Sequence, residues 1–197
     1  MNRVFLDLAI KATQDDQRVI EGWATTPTED RMGDIVMPRG ASYKLPLPLL
    51  IDHNHSLAVG NVERVEVSDA GIKFTARIAK IAEPGEAKNL VDKAWQLVKN
   101  GLRRSVSIGF RPLDHEPLAA GGKRFKKWEW LELSLVAVPA QADAAITSAK
   151  AANGFTIRRI IRDKPAASGR YSGLTPAERR EMAEVKAAYE QMFGWED

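Results

Sequence analysis

Alternating apolar and polar residues run through most of the first 138 positions and predict a series of short β-strands. The hairpin signal is clearest around Ser68-Asp69-Ala70-Gly71, where Gly71 can adopt a positive φ. The segment 45–51 is apolar but carries two prolines, so we expect an edge strand or an irregular segment there. The predicted strands are residues 4–10, 18–24, 59–67, 71–78, 105–110 and 128–138.

A helical period replaces the alternation in three places. Between Pro84 and Asn100 apolar residues recur at intervals of three and four, which predicts an amphipathic helix ending at Asn100-Gly101. Residues 142–152 are rich in alanine and predict a weak helix. Thr175-Pro176-Ala177-Glu178 combines an N-cap, an N1 proline and a capping-box glutamate, so a helix is expected to begin there.

These elements predict one domain at residues 1–148, followed by a linker and C-terminal helix at 149–197. The fold class is mainly β with flanking helices (α+β), plus a helical tail. Residues 164–169 have a linker composition, and a short isolated helix is marginal in water. We therefore interpret the tail as an accessory unit, or a tether that meets a partner.

Composition supports a folded domain and narrows its chemistry. Hydrophobic residues make up 44% and charged residues 28%, enough to build a core. The absence of cysteine excludes disulfides, thiolate metal sites and a cysteine nucleophile. Asp7 interrupts the first apolar run, and no stretch reaches the roughly 20 apolar residues of a membrane span, so neither a signal peptide nor a membrane partner is expected.

Charge and histidine content argue against a nucleic-acid-binding protein and against a metal centre. The chain has 29 basic and 26 acidic residues, largely interleaved, and a net charge of +3. Such a mild imbalance is typical of a solvated surface, so a nucleic-acid partner is not expected. Three histidines are too few for most all-histidine metal centres, and neither a metal nor a cofactor is predicted.

Ser107 is the candidate nucleophile. It lies in a strand-like segment and is followed by Gly109, where the missing side chain would let a substrate backbone approach closely. The alternative is a serine on the exposed face of an ordinary strand, and Ser105 remains a rival nucleophile.

A base and an orienting acid are also available. His53 ends an apolar run, as a general base at the mouth of a strand would, while His55 two residues later would point the same way and suggests a metal-dependent hydrolase instead. Glu132 is the one acid within the apolar strand 131–138, where a charge needs a partner. An exposed glutamate is the alternative, and Glu129 is a rival for the role.

Three separated segments together resemble the phage prohead-protease family. They are Pro48-Leu49-Leu50-Ile51-Asp52-His53, Ser105-Val106-Ser107-Ile108-Gly109-Phe110 and Leu131-Glu132-Leu133-Ser134-Leu135-Val136-Ala137-Val138-Pro139-Ala140. The resemblance implies that His53 is the base, Ser107 the nucleophile and Glu132 the orienting acid. It also implies a closed antiparallel β-barrel ringed by helices, like that of the herpesvirus assemblin proteases.

The function implied by this resemblance is that of a serine endopeptidase in phage prohead maturation. Its substrates would be a scaffold protein or the propeptide of the major capsid protein, and the protease itself. The expected location is the host cytoplasm, inside the assembling prohead, and homo-oligomer formation stays open. The alternative is a non-catalytic capsid assembly or scaffold module in which Ser107 has no chemical role.

Overall fold

The computed structural model describes residues 8–11, 17–119, 121–150 and 156–159 of the chain. Eleven strands and one α-helix lie within these residues, so the described fold is mainly β. The elements are β1 (Leu8–Lys11), β2 (Val19–Thr25), β3 (Ile35–Val36), β4 (Ala41–Ser42), β5 (Leu47–Ile51), β6 (Asn54–Ser68), β7 (Gly71–Ile78), α1 (Glu86–Lys99), β8 (Ser105–Pro117), β9 (Lys123–Val136), β10 (Ile146–Lys150) and β11 (Thr156–Arg159).

All eleven strands join one sheet, and β9 is the strand on which the site is assembled. The order is β1-β11-β10-β2-β7-β6-β5-β9-β3, with β4 and β8 also paired to β9. β8 pairs antiparallel along one edge of β9, while β3, β4 and β5 pair parallel along the other. The predicted antiparallel pairing is therefore wrong for three short strands between residues 35 and 51, which run in the direction of β9, and the other ladders are antiparallel.

Within the residues that the structure describes, the strand ladders do not close into a ring, so the prediction of a closed barrel is wrong in that detail. The start of β8 meets the segment before β10 through a single bridge between Ser105 and Ala145. Val106 N–H donates to the Ala144 carbonyl at 3.2 Å, and Ile146 N–H donates to the Arg104 carbonyl at 3.0 Å. A single bridge of this kind is not a continuous ladder.

Side chains from β5 to β9 form much of the core. Fully buried members of this core include Leu49, Val62, Ile72, Val106, Trp128 and Leu133. Trp128 donates its indole N–H to the Met37 carbonyl at 2.9 Å, so burial of the ring leaves no unsatisfied donor there. Burial of each large apolar side chain contributes about 1.5–3 kcal/mol relative to exposure.

Two of the predicted elements take a different form in the structure. β5 is paired on both sides, not an edge, because its ladder with β9 begins at Leu49 and so does not require an N–H from Pro48. The alanine-rich segment at 142–152, for which composition predicts a weak helix, contributes β10 instead, and this strand pairs with β2 and β11. Pairing within the sheet outweighs the helix propensity of alanine there.

The predicted helix and strand elements β2, β6–β7, α1, β8 and β9 are confirmed. The face of α1 formed by Val91, Ala94, Trp95 and Val98 is buried, and the helix packs on β6 and β7. Gly101, at φ 69°, ends the helix: its N–H donates to the Val98 carbonyl, and Leu102 N–H donates to the Leu97 carbonyl. This turn directs the chain into β8.

The described elements belong to a unit spanning Met1–Ile160. β11 lies in the segment assigned from sequence to the linker, and it pairs with β10 and β1. The helix expected from Thr175 lies outside the described residues, and the boundary at residue 148 stays a prediction. Among the described residues, no helix has the length and apolar character needed to span a membrane.

Candidate active site

Ser107 lies near the start of β8, directly across the ladder from Ser134 of β9. The register also pairs Ser105 with Val136 and Gly109 with Glu132. Paired and alternate residues share one face of an antiparallel ladder, so Ser107, Ser134 and Glu132 face the same side. Ser107 is 4% exposed, which contradicts the alternative of a serine on an exposed strand face.

His53 occupies a two-residue turn between β5 and β6. Asp52 has φ 50° and His53 has φ 55°, so both residues are left-handed, as a tight hairpin turn of this kind requires. Asparagine and glycine are the usual residues at such positions, and a non-glycine residue there costs roughly 1–2 kcal/mol. His53 is 5% exposed and is held in this unfavourable conformation by its surroundings.

Three contacts hold the turn against β9 and against Arg103, which precedes β8. Asp52 N–H donates to the Leu135 carbonyl at 3.1 Å, and His53 N–H donates to the Ser134 hydroxyl at 3.0 Å. The Arg103 guanidinium pairs with both oxygens of Asp52 and also donates to the Leu135 carbonyl at 3.1 Å. The hydrogen bond to Asp52 raises the pKa of Arg103, which therefore stays charged.

Glu132 is 2% exposed, and its carboxylate contacts both the imidazole and a hydroxyl. Oε1 lies 2.6 Å from His53 Nδ1, and Oε2 accepts a hydrogen bond from the Ser134 hydroxyl at 2.7 Å. With the carboxylate as acceptor, an imidazole that donates from Nδ1 keeps Nε2 as its basic nitrogen. This is the tautomer that a serine nucleophile needs in its base.

Gly109 makes room for that carboxylate. A Cβ built at Gly109 would lie 2.1 Å from Glu132 Oε1 and 2.7 Å from its Cδ, so no other residue fits there without moving Glu132. The sequence interpretation assigns this space to a substrate backbone, which is wrong because the Glu132 side chain fills it.

The rival residues have different surroundings. Ser105 is half-buried and takes part in the bridge to Ala145. His55 is exposed at the start of β6, and the positive φ of His53 breaks the strand alternation that would have aligned the two histidines. Glu129 forms an ion pair with Arg111 at the surface.

No group of three or more potential metal-ligating side chains occurs among the residues that the structure describes. The described site residues are a hydroxyl, an imidazole and a carboxylate. The hydrogen-bonded imidazole and carboxylate suit proton transfer, and a serine hydroxyl suits nucleophilic attack on a carbonyl; together these are the chemistry of serine hydrolases.

Sequence reasoning assigns no role to Ser134, Asp52 or Arg103 at the base, although each lies inside or beside a quoted segment. Alternation along β9 places Ser134 on the face of Glu132, and this signal is present in the sequence. The Arg103–Asp52 pair joins residues far apart in the chain, and no local pattern indicates it.

The mainly β fold and the candidate serine, histidine and carboxylate point to the serine hydrolase class. Residues 6–156 match the caudovirus prohead serine protease family, and the chain belongs to that family.

Two relatives and two solved structures extend the comparison. The chain is 43% identical over 173 residues to the capsid polyprotein of Pseudomonas phage PAJU2, covering 84% of this chain but only 26% of that protein. It is 28% identical over 196 residues to the prohead protease of Escherichia phage T5, covering 93% of this chain and 88% of the relative. The chain thus spans about a quarter of the capsid polyprotein and most of the T5 protein.

Herpesvirus proteases are among the similar solved structures. The varicella-zoster virus protease has a TM-score of 0.43 at 14% identity, covering 88% of this chain and 78% of that one. The KSHV protease in complex with a hexapeptide phosphonate inhibitor has a TM-score of 0.42 at 12% identity, covering 86% and 76%.

Proposed function

We propose that this chain is a serine endopeptidase that cleaves a scaffold protein or the propeptide of the major capsid protein during prohead maturation. Membership of the prohead serine protease family supports the reaction class. Similarity to a protein named as a capsid polyprotein supports a capsid protein as the substrate. The observation that carries the proposal is the buried 2.6 Å contact between His53 Nδ1 and Glu132.

In the proposed mechanism Ser107 attacks the scissile carbonyl while His53 Nε2 takes its proton. Glu132 keeps the Nδ1 proton in place and stabilises the imidazolium that forms. His53 then gives the proton to the leaving amine, and the acyl-enzyme remains on Ser107. A water molecule, deprotonated by the same imidazole, releases the acid product and restores the serine hydroxyl.

The proposed setting is the assembling prohead in the host cytoplasm, and the proposed second substrate is the chain itself. The tail, drawn at 149–197 from the sequence, is proposed to tether the protease to capsid or scaffold until it is cut. Intact masses of wild type and Ser107→Ala test this. Equal tail lengths in both would exclude self-cleavage without affecting the main proposal.

The main test is co-expression with the major capsid protein of the same phage. Ser107→Ala should leave the capsid protein uncleaved, whereas Ser105→Ala should process it as wild type does. A fluorophosphonate probe should label wild type and Ser105→Ala but not Ser107→Ala. Unprocessed capsid protein and no labelling in all three proteins would favour a non-catalytic assembly module instead.

A further inference from the structure

Ser134 is a fully buried serine on β9 at 0% exposure, and it contacts two of the three proposed triad members. We propose that Ser134 is a positioning residue: its hydroxyl fixes the backbone of His53 and the carboxylate of Glu132, and thereby sets the orientation of the imidazole. This inference rests on the proposed serine peptidase function.

The contacts form a closed ring of hydrogen bonds. His53 N–H donates to Ser134 Oγ at 3.0 Å, the Ser134 hydroxyl donates to Glu132 Oε2 at 2.7 Å, and His53 Nδ1–H donates to Glu132 Oε1 at 2.6 Å. The ring returns to the residue where it began. The backbone and the side chain of His53 are therefore fixed relative to each other through one hydroxyl.

The chemistry of the hydroxyl makes this role specific. A serine hydroxyl has a single proton, and here that proton is donated to Glu132. Ser134 faces Ser107 across the ladder, but with its proton committed it is not a second nucleophile or a donor to substrate. Its oxygen accepts a hydrogen bond from the His53 backbone N–H. The hydroxyl therefore acts on the base as an acceptor and on the acid as a donor.

Glu132 needs such a partner because its last torsion is soft. Rotation about the bond to a carboxylate is broad and has no sharp preferred angle. With Oε1 alone bound, the carboxyl plane could turn away from the line to Nδ1, and Oε2 would be buried without a donor. The Ser134 hydroxyl supplies that donor and fixes the plane.

The left-handed turn is the second reason why a hydroxyl is needed at position 134. His53 holds a φ of 55°, which a histidine adopts only when its environment requires it. The Ser134 oxygen is the acceptor of the His53 backbone N–H in that conformation. Loss of the hydroxyl would remove one hydrogen bond from the turn and one from the carboxylate at the same time.

The test measures inactivation of the purified full chain by a fluorophosphonate probe, separated into the rate constant of the chemical step and the probe affinity. Loss of a buried hydrogen bond to a charged group predicts a rate constant about 10- to 100-fold lower in Ser134→Ala. Probe affinity should change less than about threefold, because binding does not use this hydroxyl. Ser134→Thr, which keeps the hydroxyl, should recover most of the rate.

A double-mutant cycle tests whether Ser134 affects the rate through the carboxylate of Glu132. In a Glu132→Gln background the further loss from Ser134→Ala should be clearly smaller than in wild type, since part of the role of Ser134 acts through the carboxylate. Equal losses in both backgrounds would overturn the positioning role proposed for it.

Nuclear magnetic resonance gives a readout that does not need activity. The chain has three histidines, so the imidazole N–H signal of His53 can be assigned by its loss in His53→Gln. Ser134→Ala should shift or broaden this signal, while Ser134→Thr should keep it. If Ser134→Ala melts too early for study, Ser134→Cys, of similar size but a weak donor, replaces it.

The outcomes separate this proposal from the function on which it rests. Failure of the wild-type chain to be labelled at Ser107 would refute the peptidase function. Wild-type labelling with an unchanged rate constant in Ser134→Ala would refute the role of Ser134 alone. Equal loss of rate and thermal stability in the Ala and Thr variants would show a purely structural serine and would also refute it.

Discussion

Gly109→Ala tests whether the site depends on the space that this glycine leaves for the acid. The added methyl carbon would lie 2.1 Å from Glu132 Oε1 and 2.8 Å from Cγ, far inside contact distance. The backbone of Gly109 is not left-handed, so alanine is free of backbone strain there. The clash must therefore be relieved by movement of Glu132 or by separation of β8 from β9.

Movement of Glu132 would break its contacts with His53 and Ser134. Leaving a buried charged group without its hydrogen-bond donors costs about 1–3 kcal/mol or more. Loss of the orienting carboxylate lowers turnover by up to roughly 10⁴-fold in a serine protease triad. We expect Gly109→Ala to lose about 3 kcal/mol of stability and at least about 100-fold in the labelling rate constant.

Two backgrounds isolate the cause. Urea denaturation should show the stability loss of Gly109→Ala in wild type and in Glu132→Gln, whose side chain fills the same space. The loss should largely vanish in Glu132→Ala, where the space is open. An equal loss in Glu132→Ala, or wild-type labelling by Gly109→Ala, would refute the packing argument.

Two further predictions concern a carboxyl in the loop before β3 and the ion pair at the Asp52–His53 turn. Burial, reinforced by the charge of Asp34, raises the pKa of Asp30 from 3.8 to about 6, so its contribution to stability is full below about pH 4 and is lost as the pH rises through 6. Asp30→Asn should therefore be more stable than wild type by about 1–3 kcal/mol at pH 8 and equal to it near pH 3.5, measured by urea denaturation; an identical pH dependence would contradict this. Arg103→Lys cannot form the bidentate contact with Asp52. The rate of fluorophosphonate labelling should therefore fall about fivefold, which is equivalent to about 1 kcal/mol. Arg111→Lys, which changes an ion pair at the surface, is the control and should leave the labelling rate unchanged. Equal rates for Arg103→Lys and wild type would show that this ion pair does not hold the turn.

Local patterns along the chain determine much of the fold. Alternation identifies β2, the β6–β7 hairpin, β8 and β9, and the period of three and four identifies α1. Each of these patterns reports which face of a residue's own element is buried. The same logic marks Glu132 as an acid that needs a partner, because a lone charge in an apolar strand is costly wherever the strand lies.

The same patterns misjudge elements whose form depends on distant partners. The prolines of β5 predict an edge strand, yet β5 lies between β6 and β9, and β10 forms from an alanine-rich segment because β2 is available as its neighbour. Parallel pairing of β5 with β9 joins segments far apart in the chain. No periodicity within either segment carries that information.

The arrangement of the site is decided by tertiary structure. The sequence by itself supplies Ser107, His53 and Glu132 with a rival for each, and a family resemblance to order them. Only the fold shows that the Asp52–His53 turn is left-handed, that it docks on Ser134, and that Gly109 leaves room for the carboxylate. The reason is physical. The local sequence determines the type of a side chain and the face of its strand or helix, but the distance between two side chains depends on how their elements pack.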